Sequence, residues 1–204
     1  MKIIVLRHGP AMPQVLGCFG GAADFPLSED GVKAAQELAY SLEGTPIEKI
    51  YSSSFRRGMY VADTINAKKQ CGVIPMDGLK ERNSFGVLSG CKREECKDLF
   101  GYLLNELKDA PGDYYSKELL MGAEPVPEFD VRIEKALQYI AEDAQKNNFE
   151  TVAAVTHRNV IRSIYKHILK SDKKIKEFDL FSKTILEYSD GKFSLYAREG
   201  VHEA

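Results

Sequence analysis

Two short runs, Lys2-Ile-Ile-Val-Leu6 and Thr151-Val-Ala-Ala-Val-Thr156, constrain what this chain can fold into more than any other feature. Both are apolar and rich in β-branched residues, without the alternation of a strand that has one wet face. Each therefore needs cover on both faces, as in the interior of a mainly parallel sheet. Both also run into a histidine, His8 and His157, followed by a turn and then by helical spacing. In open α/β sheets the ligand crevice lies outside the carboxyl ends of the strands, so two neighbouring strands of this kind bring both histidines to one crevice. The remaining histidines, His167 in a helical stretch and His202 in the C-terminal tail, read as structural.

The rest of the chain continues the strand and helix alternation of an α/β protein. Helical spacing runs from Gly31 to Glu43 after Ser28 and Asp30, from Arg56 to Lys69, from Glu128 to Asn147 and from Asn159 to Leu169. Shorter strands are predicted over Ile47–Ser52 and Gly72–Pro75. Lys92 to Lys108, with Leu99, Leu103, Leu104 and Leu107 in helical phase, reads as a helix inside an insertion at about 87–127. The chain closes with strands over Ile185–Tyr188 and Phe193–Tyr196 around Asp190-Gly191, a strong two-residue hairpin signal. No repeat or interdomain linker stands out, so residues 1–204 are expected to form one domain with a small helical cap.

Charge narrows the ligand. With 28 Lys and Arg against 30 Asp and Glu, the net charge of -2 supplies no broad basic face for nucleic acid or an anionic membrane. An anion must then be held by a few focused cations. No apolar run reaches the roughly 20 residues that span a bilayer, and the chain reads as cytoplasmic. Cys18, Cys71, Cys91 and Cys96 are too sparse for a disulfide framework and lack zinc-site spacing, so reduced thiols are expected. Arg7 beside His8, and Arg56-Arg57 at the start of a helix, are the cations best placed for an oxyanion, with one of the latter pair facing the pocket. Gly17, Gly20 and Gly21 fit no dinucleotide fingerprint and read as a turn bordering the pocket.

Five ordered blocks carry a family resemblance. They are Arg7-His8-Gly9, Asp24-Phe-Pro-Leu-Ser28 with Gly31, Ser52-Ser53-Ser54-Phe55-Arg56-Arg57-Gly58, Leu79-Lys80-Glu81-Arg82 leading to Phe85-Gly86, and Val155-Thr156-His157 with Ile161-Arg162. Together they resemble the histidine phosphatase superfamily with its phosphoglycerate mutase-like fold. The resemblance implies a three-layer α/β/α sandwich whose mostly parallel sheet ends in a C-terminal hairpin. It also implies catalysis by His8 as nucleophile and Glu81 as proton donor, with Arg7, Arg57 and His157 binding phosphate and neither metal nor cofactor required. The like charges of Arg7 and Arg57 suit this role, because they disfavour the imidazolium form of His8 and keep it nucleophilic.

Departures from the family pattern shape the rest of the pocket. Pro10, Ala11 and Gln14 stand where the family carries an acid or amide, a hydroxyl residue and an asparagine, while Arg158 and Asn159 replace a glycine-led turn. One extra residue separates Glu81 from Gly86. Gln14, Gly21, Arg82 and Arg158 are therefore the candidate substrate contacts. The expected partner is a small phosphorylated substrate, with neither nucleic acid nor membrane, and a homodimer through the final hairpin or the inserted helix stays open. The function expected is a metal-independent phosphomonoesterase acting through phosphohistidine. A phosphoglycerate mutase-type phosphotransferase is the alternative, ranked second because residues 92–125 lack a basic, proline-rich insertion. A non-catalytic phospholigand-binding module ranks third, since nucleophile and acid are both retained.

Overall fold

A computed structural model describes residues 1–97, 101, 102, 105, 120–173 and 175–203. In chain order the elements are β1 (Lys2–Arg7), α1 (Met12–Val15), α2 (Glu29–Ser41), β2 (Lys49–Ser53), α3 (Arg56–Lys69), β3 (Val73–Met76), α4 (Val126–Lys146), β4 (Thr151–Thr156), α5 (Arg158–Ser163), β5 (Ile175–Ser189) and β6 (Lys192–Glu203). The strands form one six-stranded sheet in the order β3-β2-β4-β1-β5-β6. The first four are parallel to one another, and β5 and β6 join antiparallel at the β1 side. The two apolar runs are thus the central pair, with Leu6 opposite Val155 and Arg7 opposite Thr156.

Their composition follows from that place. Ile3 and Val5 of β1 pack with Val152 and Ala154 of β4 against α4 and α5, while Ile4, Leu6, Ala153 and Val155 pack against α2 and α3. Successive side chains point to opposite faces, so a strand covered on both sides must be apolar at every position. The helices are three-layer cover, and each starts and stops for a local reason. Ser28 Oγ accepts the Gly31 N–H at 3.2 Å and caps α2. Gln70 ends α3 in the left-handed region at φ 53°.

Two expectations shift. The helix expected over Asn159–Leu169 runs as α5 and then loosens into a π-helical turn over Ile164–Ile168. The closing strands are far longer than their apolar centres, because β5 and β6 carry exposed polar residues such as Lys176, Glu177 and Lys192 that hydropathy does not mark as strand. Their turn is as predicted, with Asp190 and Gly191 both at positive φ, 53° and 74°. In the insertion, residues 93–97, 101, 102 and 105 are helical, and Leu99, Leu103, Leu104 and Leu107 lie outside the described residues. Leu88, Cys96 and Leu120 of this region pack with Phe19 in a small cluster of their own, with Phe85 against it. Among the described residues no helix is long and apolar enough to cross a membrane.

Candidate active site

The pairing of β1 with β4 puts His8 and His157 side by side just beyond the strand ends. The His8 N–H still bonds Thr156 O at 3.0 Å, and the two ring centroids lie 4.9 Å apart at 63°. His8 Nδ1 lies 2.7 Å from Gly9 O. A carbonyl can only accept, so Nδ1 carries the proton and Nε2 keeps its lone pair. Burial, followed by the charges of Arg57 and Arg7, pushes the His8 pKa down to about 3. The ring is a neutral base at ordinary pH. Gly9 is required by close approach, since a Cβ there would sit 2.1 Å from Cζ of Phe181.

The two arginines are anchored by main-chain carbonyls rather than by acids. Arg7 Nη1 donates to Phe178 O, and burial, then the Arg158 charge, lowers its pKa to about 10, which leaves it a cation. Arg57 is buried at 3 % exposure, with Nη1 donating to Ala23 O at 2.9 Å and Nη2 to Gly21 O at 3.4 Å. Its guanidinium lies 4.6 Å from the centre of the Phe55 ring. Arg56, its neighbour, is exposed. The Arg56 amide at the start of α3 is taken by Asp24 Oδ1 at 2.7 Å, so this helix terminus does not offer it to a ligand. Carbonyl anchors fix the two guanidinium groups without a carboxylate in direct contact among the described residues, which suits an incoming anion.

Glu81 is half-buried, held by the Arg82 N–H on Oε1 at 2.9 Å and by the Asn159 N–H on Oε2 at 3.5 Å. Arg7, His8, Arg57 and Glu81 line one cavity of about 470 Å³ together with Gln14, Gly21, Arg82, Arg93, Arg158 and Asn159. Gln14 is exposed at the mouth on α1, and Arg158 is half-buried at the start of α5. Gly21, at φ 52°, engages Arg57 through its carbonyl. Arg82 reaches the cavity wall but is fully buried, its Nε donating to Glu124 O at 2.8 Å, so it braces the loop that carries Glu81. His157 is also fully buried and packs against His8 beneath the cavity rather than on its open wall. Its pKa falls well below the usual value, through burial first and then the charge of Arg57.

Among the described residues, the buried atoms Arg7 Nε, His157 Nδ1 and Asn159 Oδ1 at this site have no hydrogen-bond partner. Buried groups are almost always paired, so the Arg7 Nε donor left open beside two anchored guanidiniums marks the place of an oxyanion. The family model for the histidine phosphatase superfamily (branch 1) matches residues 3–199. This chain belongs to that superfamily. As a histidine phosphatase it is an enzyme of the phosphoric monoester hydrolase type. It is 28% identical over 194 residues to a phosphoglycerate mutase-like protein 4 of Arabidopsis thaliana, covering 93% of this chain and 80% of the relative. A metal-independent phosphoserine phosphatase of Arabidopsis thaliana is 30% identical over 180 residues, 83% of this chain and 69% of the relative. The crystal structure of a phosphoglycerate mutase from Bacillus anthracis superposes with a TM-score of 0.80 at 23% identity, covering 97% of this chain and 92% of that one, and shares the fold.

Several parts of this histidine phosphatase site escape sequence reading. A break in the register of β5 between Phe178 and Lys183 puts Phe178 O on Arg7 and the Phe181 ring, at φ 59°, on Gly9. Nothing in the local sequence marks that bulge. Arg132 of α4 clamps Glu124 through two bonds of 2.8 Å and donates to Gly78 O at 2.9 Å and Lys80 O at 3.1 Å, steadying the loop ahead of Glu81. Its position on a helix otherwise read as amphipathic gave no signal. Arg93 joins the cavity from the insertion, 4.5 Å from the Phe19 ring centre. Asn159 was visible only as a departure from the glycine-led turn.

Proposed function

We propose that the enzyme is a metal-independent phosphomonoesterase that works through a phosphohistidine at His8. The observation that carries this reading is a neutral His8, its Nδ1 proton spent on Gly9 O, between the anchored cations Arg7 and Arg57. Nε2 attacks phosphorus, forming the P–N bond as the P–O bond to the leaving group breaks. Arg7, Arg57 and His157 hold the equatorial oxygens, and Glu81 gives its proton to the departing alkoxide. Glu81, now a carboxylate, takes a proton from water as the water oxygen attacks phosphorus. The P–N bond then breaks, releasing inorganic phosphate and restoring neutral His8. The guanidiniums supply the charge neutralisation for which other phosphatases use a metal ion. The described residues hold no cluster of His, Cys, Asp or Glu suited to a metal.

The substrate we infer is small and carries a second anionic group beside the ester. The cavity of about 470 Å³ is lined by five arginines, Arg7, Arg57, Arg82, Arg93 and Arg158, against one carboxylate, on a chain of net charge -2. Arg93 and Arg158 lie beyond the pair assigned to the phosphoryl group. The similarity to a phosphoserine phosphatase, whose named substrate also bears a carboxylate, supports this. The test is a panel of phosphomonoesters with excess chelator. Phosphoserine and phosphoglycerate should be hydrolysed with higher kcat/KM than glycerol phosphate, and His8→Ala should abolish turnover of all of them. Activity surviving in His8→Ala would refute the phosphohistidine, equal kcat/KM across the panel would refute the second anion, and phosphoglycerate interconversion without phosphate release would favour a mutase.

A further inference from the structure

Outside the residues assigned above, the most constrained polar group at the site is the hydroxyl of Ser53, the last residue of β2. Ser53 and His157 are both fully buried, and Ser53 Oγ lies 2.7 Å from His157 Nε2. The same oxygen accepts the Phe55 N–H at 3.3 Å. A serine hydroxyl has one proton to give and two lone pairs to receive. If Nε2–H donated to Ser53, the hydroxyl would accept twice and its own proton would have no acceptor among the described residues. If Ser53 donates to Nε2, the hydroxyl proton, the Phe55 N–H and the Nε2 lone pair are all satisfied. The ring proton must then reside on Nδ1, the atom that has no partner among the described residues.

We propose that Ser53 is a positioning residue that sets the tautomer of His157, holding the proton on Nδ1 so that this buried atom donates to the phosphoryl group carried by the adjacent His8. The choice of tautomer matters because burial, and then the charge of Arg57, keeps His157 neutral. A neutral ring has one N–H, and with the opposite tautomer Nδ1 would present a lone pair to an anion. Gly58 leaves Ser53 its place, since a Cβ on Gly58 would come 3.2 Å from Ser53 Cβ. The inference rests on His8 being the phosphorylated residue, but the tautomer can be read without turnover.

The experiment is a multiple-bond 1H–15N spectrum of the full chain labelled with 15N-histidine, with and without orthovanadate, with His157 identified by substituting each of the other three histidines. The wild type should show His157 protonated on Nδ1 alone. Ser53→Ala should lose that signature and reduce kcat on an aryl phosphate by about 10²-fold, the loss seen when one donor to a transition-state oxyanion is removed. Ser53→Thr, which keeps the hydroxyl, should restore both. A wild-type His157 protonated on Nε2 overturns the proposal, as does a Ser53→Ala enzyme unchanged in spectrum and in kcat. Should Ser53→Ala fail to fold, the wild-type spectrum decides alone. Turnover surviving in His8→Ala would remove the phosphohistidine and leave the tautomer result standing.

Discussion

Acid should destabilise this fold through His8 by an amount the structure sets. The folded ring titrates at about 3 and the unfolded one at 6.5. Between those values the unfolded chain binds a proton that the folded chain refuses, so the stabilisation is complete above pH 6.5 and is lost as pH falls towards 3. From the two pKa values, the loss relative to pH 7 is about 2 kcal/mol at pH 5 and about 3 kcal/mol at pH 4. His8→Asn fills much the same space and does not titrate, so it serves as the reference in which the carboxylates, His167 and His202 contribute alike. Urea unfolding of both proteins at pH 7, 6, 5 and 4, in buffers without phosphate, measures the difference. The wild-type curve should approach the His8→Asn curve by about 2 kcal/mol between pH 7 and 5. Parallel curves would mean that His8 is not held neutral by burial and its two arginines, and the account of the nucleophile would fail.

Three further outcomes follow from the geometry. Glu81→Gln should cost at least tenfold in kcat on alkyl phosphates and much less on aryl phosphates, whose leaving groups need little protonation; steady-state kinetics on matched esters checks this. Arg132→Leu strips Glu124 of its cationic partner and frees the loop before Glu81, so unfolding should show a loss of about 1–3 kcal/mol, with the leaving-group dependence of Glu81→Gln in weaker form. Gly9→Ala forces a methyl into the Phe181 ring and should cost about 1–3 kcal/mol by thermal or urea unfolding, with kcat falling as His8 is displaced.

Much of this site is written in short segments. Lys2–Leu6 and Thr151–Thr156 are apolar at every position because strands covered on both faces have no wet side, and that identifies the central pair and delivers His8 and His157. Ser28 and Asp190-Gly191 likewise announce a cap and a turn whose chemistry is complete within three or four residues. Tertiary structure alone decided which polar groups meet. The Phe178–Lys183 bulge that seats Arg7 and covers Gly9, the Arg132 bonds to Gly78 O and Lys80 O and the Ser53 hydroxyl on His157 join residues far apart in the chain. Hydrophobic periodicity reports which face a residue presents to the core, because burial follows the repeat of its own helix or strand. It carries no record of the partner that a buried polar group finds across the sheet, as His157 finds Ser53, whereas His8 places its proton on the carbonyl of the adjacent Gly9.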